Sequence, residues 1–196
     1  MYLNQELKNK IKSILDNDGV IAFVTDTVWG LGCLTSSEKA VRKIYEIKKR
    51  EAQKPLILMS NGIENLEPYV KEFNPKAKEL IAKHFPGALT LVLEKSEKTP
   101  DYLTSGFNTV GIRMPDNEIF KEICEAATGH VLATTSANLS HEPSAKTFEQ
   151  AFENMGEKVD LIIEDFSQKA KGLESTVALI LNDKVKILRQ GAVELK

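Results

Sequence analysis

The chain has 196 residues, of which 42% are hydrophobic and 28% are charged, and its formal net charge is −2. This length supports one sizeable hydrophobic core, and the composition excludes a disordered chain. The small net charge does not by itself predict nucleic-acid binding, and no apolar run approaches the roughly 20 residues that a membrane-spanning helix needs.

The N-terminal quarter predicts a helix, a buried strand, a loop and a second helix. Apolar side chains fall on one helical face over residues 3–15, and Gly19 follows as a stop signal. Residues 20–25 form the short apolar run of a buried strand, and the Gly-, Thr- and Asp-rich residues 26–35 predict a loop. A serine supplies the N-cap of a second helix over residues 36–47.

The middle of the chain predicts three strands and one helix. Residues 55–59 are an apolar strand that follows a polar stretch. An Asn-Pro pair serves as cap and first residue of a helix over residues 74–84. A Pro-Gly turn leads into a strand over residues 89–93, and a further strand covers residues 109–113.

The last third of the chain continues the alternation of helices and strands. Helices are predicted over residues 117–128 and 147–155, and strands over residues 131–135 and 159–163. Residues 175–189 predict a hairpin that turns at an Asn-Asp pair.

This order of elements predicts the architecture. We expect an α/β fold of the α+β type, with a single-domain twisted mixed β-sheet and helices packed around it over residues 1–196. Cys33 and Cys124 are far apart and do not indicate a disulfide framework. Residues 1–12 lack the apolar core of a signal peptide, which favours a cytoplasmic location.

Polar side chains follow several of the predicted strands. Thr27, Arg113, Ser136 and Arg189 each lie at or just beyond the end of an apolar run. Ligands of sheet proteins are often bound at strand ends, where the sheet holds side chains rigidly. Each residue alone also fits a turn, so their recurrence is what predicts a site.

The densest group of cations lies in residues 38–54, which hold seven basic and three acidic side chains. Lys48, Arg50 and Lys54 come after the apolar face of the predicted helix. A cationic loop before a strand is suited to phosphates, because Arg offers forked hydrogen bonds and Lys a compact charge. A solvated run of charges is the alternative interpretation.

Several common chemistries lack their signature in this sequence. There is no Walker phosphate loop, no complete dinucleotide-binding glycine motif and no G-x-S-x-G elbow around Ser136. The three histidines have no metal-ligand spacing, so no metal-binding residue is predicted. Hydroxyls, an amide and cations without a general base suit the positioning of a polyanion, as in phosphoryl or nucleotidyl transfer.

Seven segments, in order along nearly the whole chain, carry a family resemblance. They are TDTVWGLG (25–32), KKR with KPL (48–56), FPGALT (85–90), TVGIRMP (109–115), SANLS (136–140), GLESTV (172–177) and LRQGA (188–192). On these segments the chain resembles the threonylcarbamoyl-AMP synthases of the YrdC-like (TsaC) family, in the short form without an additional C-terminal domain.

The resemblance implies a reaction and its partners. Members of the family form L-threonylcarbamoyladenylate and pyrophosphate from L-threonine, bicarbonate and ATP, with Mg²⁺ arriving on the ATP. The product serves the threonylcarbamoyladenosine modification of tRNA, so the expected partners include threonylcarbamoyl transferase proteins and, as a further candidate, tRNA itself.

The resemblance also assigns residues to roles. The expected catalytic residues are Lys48 and Arg50. The expected threonine-binding residues are Thr27, Arg113, Ser136 and Ser175. The expected nucleotide-binding residues are Lys48, Arg50, Lys54, Thr109, Asn138, Ser144 and Arg189. The sequence departs from the family pattern at Met59, Asn117 and His141.

Two other interpretations remain open from the sequence. The chain could be a paralogous carbamoyl-adenylating enzyme with a different substrate. It could also be a non-catalytic RNA-binding module, which the basic residues 38–54 would support. The net charge of −2 and the lack of interleaved aromatic residues other than Tyr45 argue against the RNA module.

Overall fold

The computed structural model of the chain describes residues 1–49 and 54–195. Within these ranges the helices are α1 (Gln5–Asp16), α2 (Glu38–Lys48), α3 (Ile63–Leu66), α4 (Pro75–His84), α5 (Asp101–Thr104), α6 (Glu118–Ala126) and α7 (Phe148–Met155). The strands are β1 (Ile21–Phe23), β2 (Gly30–Leu34), β3 (Ile57–Ser60), β4 (Leu89–Glu94), β5 (Thr109–Arg113), β6 (Val131–Ser136), β7 (Leu161–Ile162), β8 (Thr176–Leu181) and β9 (Lys184–Arg189).

The described strands form one sheet in the order β7-β1-β2-β6-β3-β5-β4-β8-β9. The pairs β1–β7, β3–β5 and β4–β8 are parallel, and the other neighbouring pairs are antiparallel. The predicted mixed sheet with helices packed around it is therefore confirmed. None of the described residues belongs to a helix with the length and apolar character that a bilayer crossing requires.

Helix starts follow the capping residues of the sequence. Ser37, Asn74 and Asn117 each accept a hydrogen bond in their side chain from the backbone N–H three residues later. Such caps satisfy N–H groups that have no partner within the helix. The cap at Asn117 gives this departure from the family pattern a structural role. The four-residue helices α3 and α5 were not predicted, because so short a segment shows no helical periodicity.

Two predictions of local structure were wrong. Lys48 was expected in a loop, yet it is the buried last residue of α2. Residues 26–35 were expected to be a loop, yet Gly30–Leu34 forms strand β2 in the interior of the sheet. A Cβ atom on Gly32 would lie 2.8 Å from the Phe23 ring, and one on Gly30 would lie 3.1 Å from it. The glycines therefore allow the Phe23 ring to lie against the strand. In the sequence, such glycines cannot be distinguished from those of a loop.

The core includes both cysteines and the contact between β1 and α6. Phe23 and Phe120 pack with their ring centroids 5.2 Å apart. Cys33 and Cys124 are buried and free. Burial raises the pKa of the Cys33 thiol to about 12, so this side chain behaves as an apolar core residue and not as a nucleophile.

Candidate active site

A cavity of about 130 Å³ lies over β3, in the middle of the sheet. Its walls come from segments far apart in the chain: Thr25, Thr27, Val28, Trp29, Gly30, Pro55, Ile57, Met59, Arg113, Thr134, Thr135, Ser136, Glu174, Ser175 and Arg189. Ile57 and Met59 are two residues apart in β3 and therefore point to the same face of the sheet. This volume corresponds to a small ligand and lies well below that of drug-sized sites.

The strand register places two lining residues at opposite ends of the cavity. Ile57 is paired with Gly111 of β5 on one side and with Thr134 of β6 on the other. Because β5 is parallel to β3 and β6 is antiparallel, Arg113 and Ser136 end their strands at opposite ends of β3. They are offset by four residues, about 13 Å along the strand direction. The site therefore runs across the face of the sheet and is not confined to one row of strand ends.

Arg113 forms one end of the cavity and is only 3% exposed. Its Nη2 donates to Oδ1 of Asp26 at 2.5 Å, its Nη1 to Oγ1 of Thr27 at 2.9 Å, and its Nε to the carbonyl oxygen of Gly87 at 2.9 Å. Burial lowers the pKa of the Arg113 guanidinium, and the neighbouring Asp26 carboxylate opposes this effect. The pair thus keeps a positive charge fixed inside the protein.

The loop after β1 brings Asp26 and Thr27 to Arg113. The hydroxyl of Thr25 donates to the carbonyl of Val28 at 2.6 Å and accepts from the backbone N–H of Thr27 at 3.2 Å. These contacts form a tight turn that orients the next two side chains. Three of the five Arg113 N–H groups have the partners described above. The other two make no hydrogen bond with the part of the chain that the structure describes.

Ser136 forms the opposite end and is tied to Lys48. The buried Nζ of Lys48 donates to the carbonyl oxygen of Ser136 at 2.5 Å and to the carbonyl and side-chain oxygens of Asn138 at 2.6 and 3.0 Å. The Ser136 hydroxyl donates to the side-chain oxygen of Asn138 at 2.5 Å. One ammonium group therefore holds the Ser136–Asn138 segment against the end of α2.

The mouth of the cavity carries Glu174, Ser175 and Arg189. Arg189 donates through Nε and Nη2 to the carbonyl oxygen of Ser175, at 3.1 and 3.0 Å. Its Nη1 forms an ion pair with Glu174, whose other carboxylate oxygen accepts from the Ser144 hydroxyl at 2.7 Å. Ser175 is buried, and its hydroxyl lies 2.9 Å from that of Thr90.

The structure brings most of the predicted site residues together. Those that line the cavity are Thr27, Arg113, Ser136, Ser175 and Arg189. Those that contact its wall by hydrogen bonds are Lys48, Asn138 and Ser144. The remaining described ones, Lys54 and Thr109, are not among the lining residues. Arg50, the other predicted catalytic residue, lies outside the described residues.

Thr109 is related to the cavity by strand register. It begins β5 on the same face as Gly111 and Arg113, because alternate residues of a strand share a face. Gly111 is level with Ile57 on β3. Thr109 therefore lies two residues beyond the middle of the cavity, in the direction of Ser136.

Sequence reasoning missed several residues of the walls. Trp29, Met59, Thr134 and Glu174 line the cavity without having been assigned a role. Glu174 directly precedes the predicted site residue Ser175 in the GLESTV segment, and this adjacency is the sequence signal that could have identified it. Met59 was noted only as a departure from the family pattern. His141, another departure, has φ 72°, a conformation that glycine adopts without strain.

A family model matches most of the chain. The model, named Sua5/YciO/YrdC and described as "Telomere recombination", matches residues 13–191. The chain belongs to the Sua5/YciO/YrdC family. Its membership was predicted from the sequence motifs and is confirmed.

Individual members of the Sua5/YciO/YrdC family extend the comparison. A threonylcarbamoyl-AMP synthase from Pyrococcus abyssi is 39% identical over 194 residues, which is 98% of this chain and 56% of the relative. A putative threonylcarbamoyl-AMP synthase from Methanocaldococcus jannaschii is 34% identical over 198 residues, which is 99% of this chain and 92% of the relative. The chain thus spans little more than half of one relative and nearly all of the other.

A solved structure of this family carries an amino acid. The crystal structure of P. abyssi Sua5 complexed with L-threonine superposes with a TM-score of 0.90 and 34% sequence identity. The match covers 97% of this chain and 56% of that one. The fold of the present chain is therefore the fold of a threonine-binding relative.

Proposed function

We propose that this chain is an L-threonylcarbamoyladenylate synthase, a nucleotidyltransferase that uses L-threonine, bicarbonate and ATP. The observation that carries the proposal is the cavity over β3, which is lined by all four predicted threonine-binding residues. Relatives named for this reaction match nearly the whole chain, which supports the same chemistry.

The Arg113 end of the cavity suits an amino acid. The two remaining N–H groups of the Arg113 guanidinium offer a forked contact to a carboxylate. The hydroxyls of Thr27 and Ser175 have protein partners in Arg113 and Thr90, and each oxygen can take a further hydrogen bond from the ligand. Ile57 and Met59 supply an apolar surface for a methyl group. A site with both features favours threonine over purely apolar amino acids, because the threonine hydroxyl gains a hydrogen bond there that an apolar side chain cannot form.

The reaction requires positioning and charge neutralisation. The threonine amine attacks the carbon of bicarbonate, water leaves, and a carbamate results. A carbamate oxygen then attacks the α-phosphorus of ATP, and pyrophosphate leaves. Lys48 and Arg50 are the proposed catalytic residues, since cations beside a transferring phosphate stabilise its charge. The contacts of Lys48 give it a further role, because it orients the Ser136–Asn138 segment.

Mg²⁺ is proposed to enter with ATP. Among the described residues no group of three acidic, His or Cys side chains could hold a metal ion. Magnesium in nucleotide enzymes keeps several water ligands and binds the phosphate oxygens of the nucleotide, so ATP itself would bring the ion to the site. When bound, the ion would neutralise part of the phosphate charge.

Further parts of the proposal concern location and partners. We propose that the reaction takes place in the cytoplasm and that its product supplies threonylcarbamoyl transferase proteins acting on tRNA. The RNA-module alternative is not favoured, since the basic residues of α2 are compensated locally. Arg42 pairs with Glu38 at 2.6 Å, and Lys43 pairs with Asp160 at 2.6 Å.

The test is an omission assay. The chain is incubated with ATP, threonine and bicarbonate, each omitted in turn, and pyrophosphate is measured while the adenylate is identified by mass spectrometry. We expect pyrophosphate and threonylcarbamoyl-AMP only when all three substrates are present. Pyrophosphate release that does not depend on threonine would reject the proposal. Release that depends on another amine would indicate the paralogous enzyme instead.

A further inference from the structure

The Glu174 carboxylate accepts hydrogen bonds from two side chains that were predicted to bind the nucleotide, Ser144 and Arg189. One carboxylate oxygen accepts from the Ser144 hydroxyl at 2.7 Å, and the other is paired with Nη1 of Arg189. Ser144 and Arg189 come from different parts of the chain, and within the described residues this carboxylate connects their side chains. Among the described residues that line the cavity, Glu174 alone is acidic.

The Arg189 guanidinium is held from two sides. Its Nε and Nη2 donate to the carbonyl oxygen of Ser175, and Nη2 also lies 3.3 Å from the Ser175 hydroxyl. Only Nη1 is directed to Glu174. If the carboxylate moves away, the Ser175 contacts keep the guanidinium in position with one donor group available. The Arg189–Glu174 pair is 43% and 37% exposed, so a ligand in solution reaches it directly.

The chemistry of these donors matches a phosphate oxygen as well as a carboxylate. A guanidinium N–H and a hydroxyl that converge on one anionic group form charge-assisted hydrogen bonds with either. We propose that Glu174 is an internal competitor that takes the place of an ATP phosphate group, and that nucleotide binding displaces its side chain. This inference rests on the proposed function, because it assumes that the phosphates of ATP bind at the mouth of the cavity, beside Arg189.

Displacement has a measurable consequence for affinity. A neutral amide at position 174 binds Arg189 less strongly than a carboxylate, and it does not repel a phosphate nearby. We therefore expect Glu174→Gln to bind ATP about threefold to tenfold more tightly than the unmodified chain, which is the range for a partly exposed ion pair and its hydrogen bond. Adenosine, which has no phosphate, should bind equally to both.

The experiment is isothermal titration calorimetry with Mg²⁺-ATP, with tripolyphosphate and with adenosine, in the absence of threonine and bicarbonate. The matched control is Glu38→Gln, which makes the same change of charge in an exposed ion pair on α2. We expect tighter binding of ATP and tripolyphosphate only for Glu174→Gln. In an Arg189→Gln background, the same substitution should give a smaller gain in both affinities, because only the release of Ser144 and the loss of repulsion remain.

Unchanged or weaker binding of ATP and tripolyphosphate by folded Glu174→Gln would overturn the inference. So would an equal gain in the Glu38→Gln control, or a gain that is undiminished in the Arg189→Gln background. Failure of both phosphate ligands to bind any variant would also overturn it. These titrations contain no threonine, so the omission assay decides the proposed reaction separately.

Discussion

The buried pair of Asp26 and Arg113 allows a quantitative test of the site. Their side chains are 4% and 3% exposed, and they are joined at 2.5 Å. The substitution Asp26→Asn keeps the shape of the side chain but removes its charge, which leaves the Arg113 guanidinium buried without a counter-charge. Removing one partner of a buried pair costs about 3–5 kcal/mol of unfolding free energy, and we expect the lower end because the amide oxygen still accepts a hydrogen bond.

The measurement is urea and thermal unfolding followed by circular dichroism. For a chain of this length, a loss of about 3 kcal/mol lowers Tm by roughly 6–12 °C. The control is Glu38→Gln, which breaks the exposed Arg42–Glu38 pair and should cost less than about 1 kcal/mol. A loss in Asp26→Asn no larger than that of the control would refute the argument from burial.

Threonine provides a second readout in the same variant. If its carboxylate binds Arg113, it supplies the negative charge that Asp26→Asn removes. Threonine should then raise the Tm of the variant by more than it raises that of the unmodified chain; at a hundredfold excess over Kd, ligand linkage is worth about 2.7 kcal/mol. Equal threonine-induced shifts of Tm in both proteins would show that the threonine carboxylate does not bind Arg113.

Two further predictions concern other buried charges. Burial alone raises the pKa of Glu122, but hydrogen bonds from two backbone N–H groups and from Lys8 lower it overall. The Glu122 carboxylate therefore stabilises the folded protein fully above about pH 4.5, its ordinary pKa. This stabilisation is lost as the pH falls through the lowered pKa of the folded state. Glu122→Gln should cost about 1–2 kcal/mol at pH 7 and much less at pH 3, and an equal cost by urea unfolding at both would contradict this. Lys48→Met should lower pyrophosphate release about a hundredfold, because the Asn138 segment loses the group that positions it, while Lys43→Met should not. Near-normal pyrophosphate release by folded Lys48→Met would contradict this positioning role.

Local sequence patterns predicted most of the helices and strands. Helix caps such as Asn74 and alternating or apolar runs act over a few residues, so they can be recognised without the tertiary structure. Strand β2 was not predicted, because its glycines are explained only by their contact with Phe23, which is seven residues or more away in the sequence. The same limit applies to Glu174, whose partners lie 30 and 15 residues distant.

The sequence by itself determined which kinds of side chain the site contains, because motif order and residue chemistry are properties of the chain. It did not determine how those side chains are arranged. The register of β3 with β5 and β6 places Arg113 and Ser136 at opposite ends of one cavity. Contacts between distant segments also decide which cations are already bound to a carboxylate, as Arg113 is to Asp26, 87 residues away in the sequence. These features depend on contacts between segments far apart in the chain, and such contacts exist only after folding.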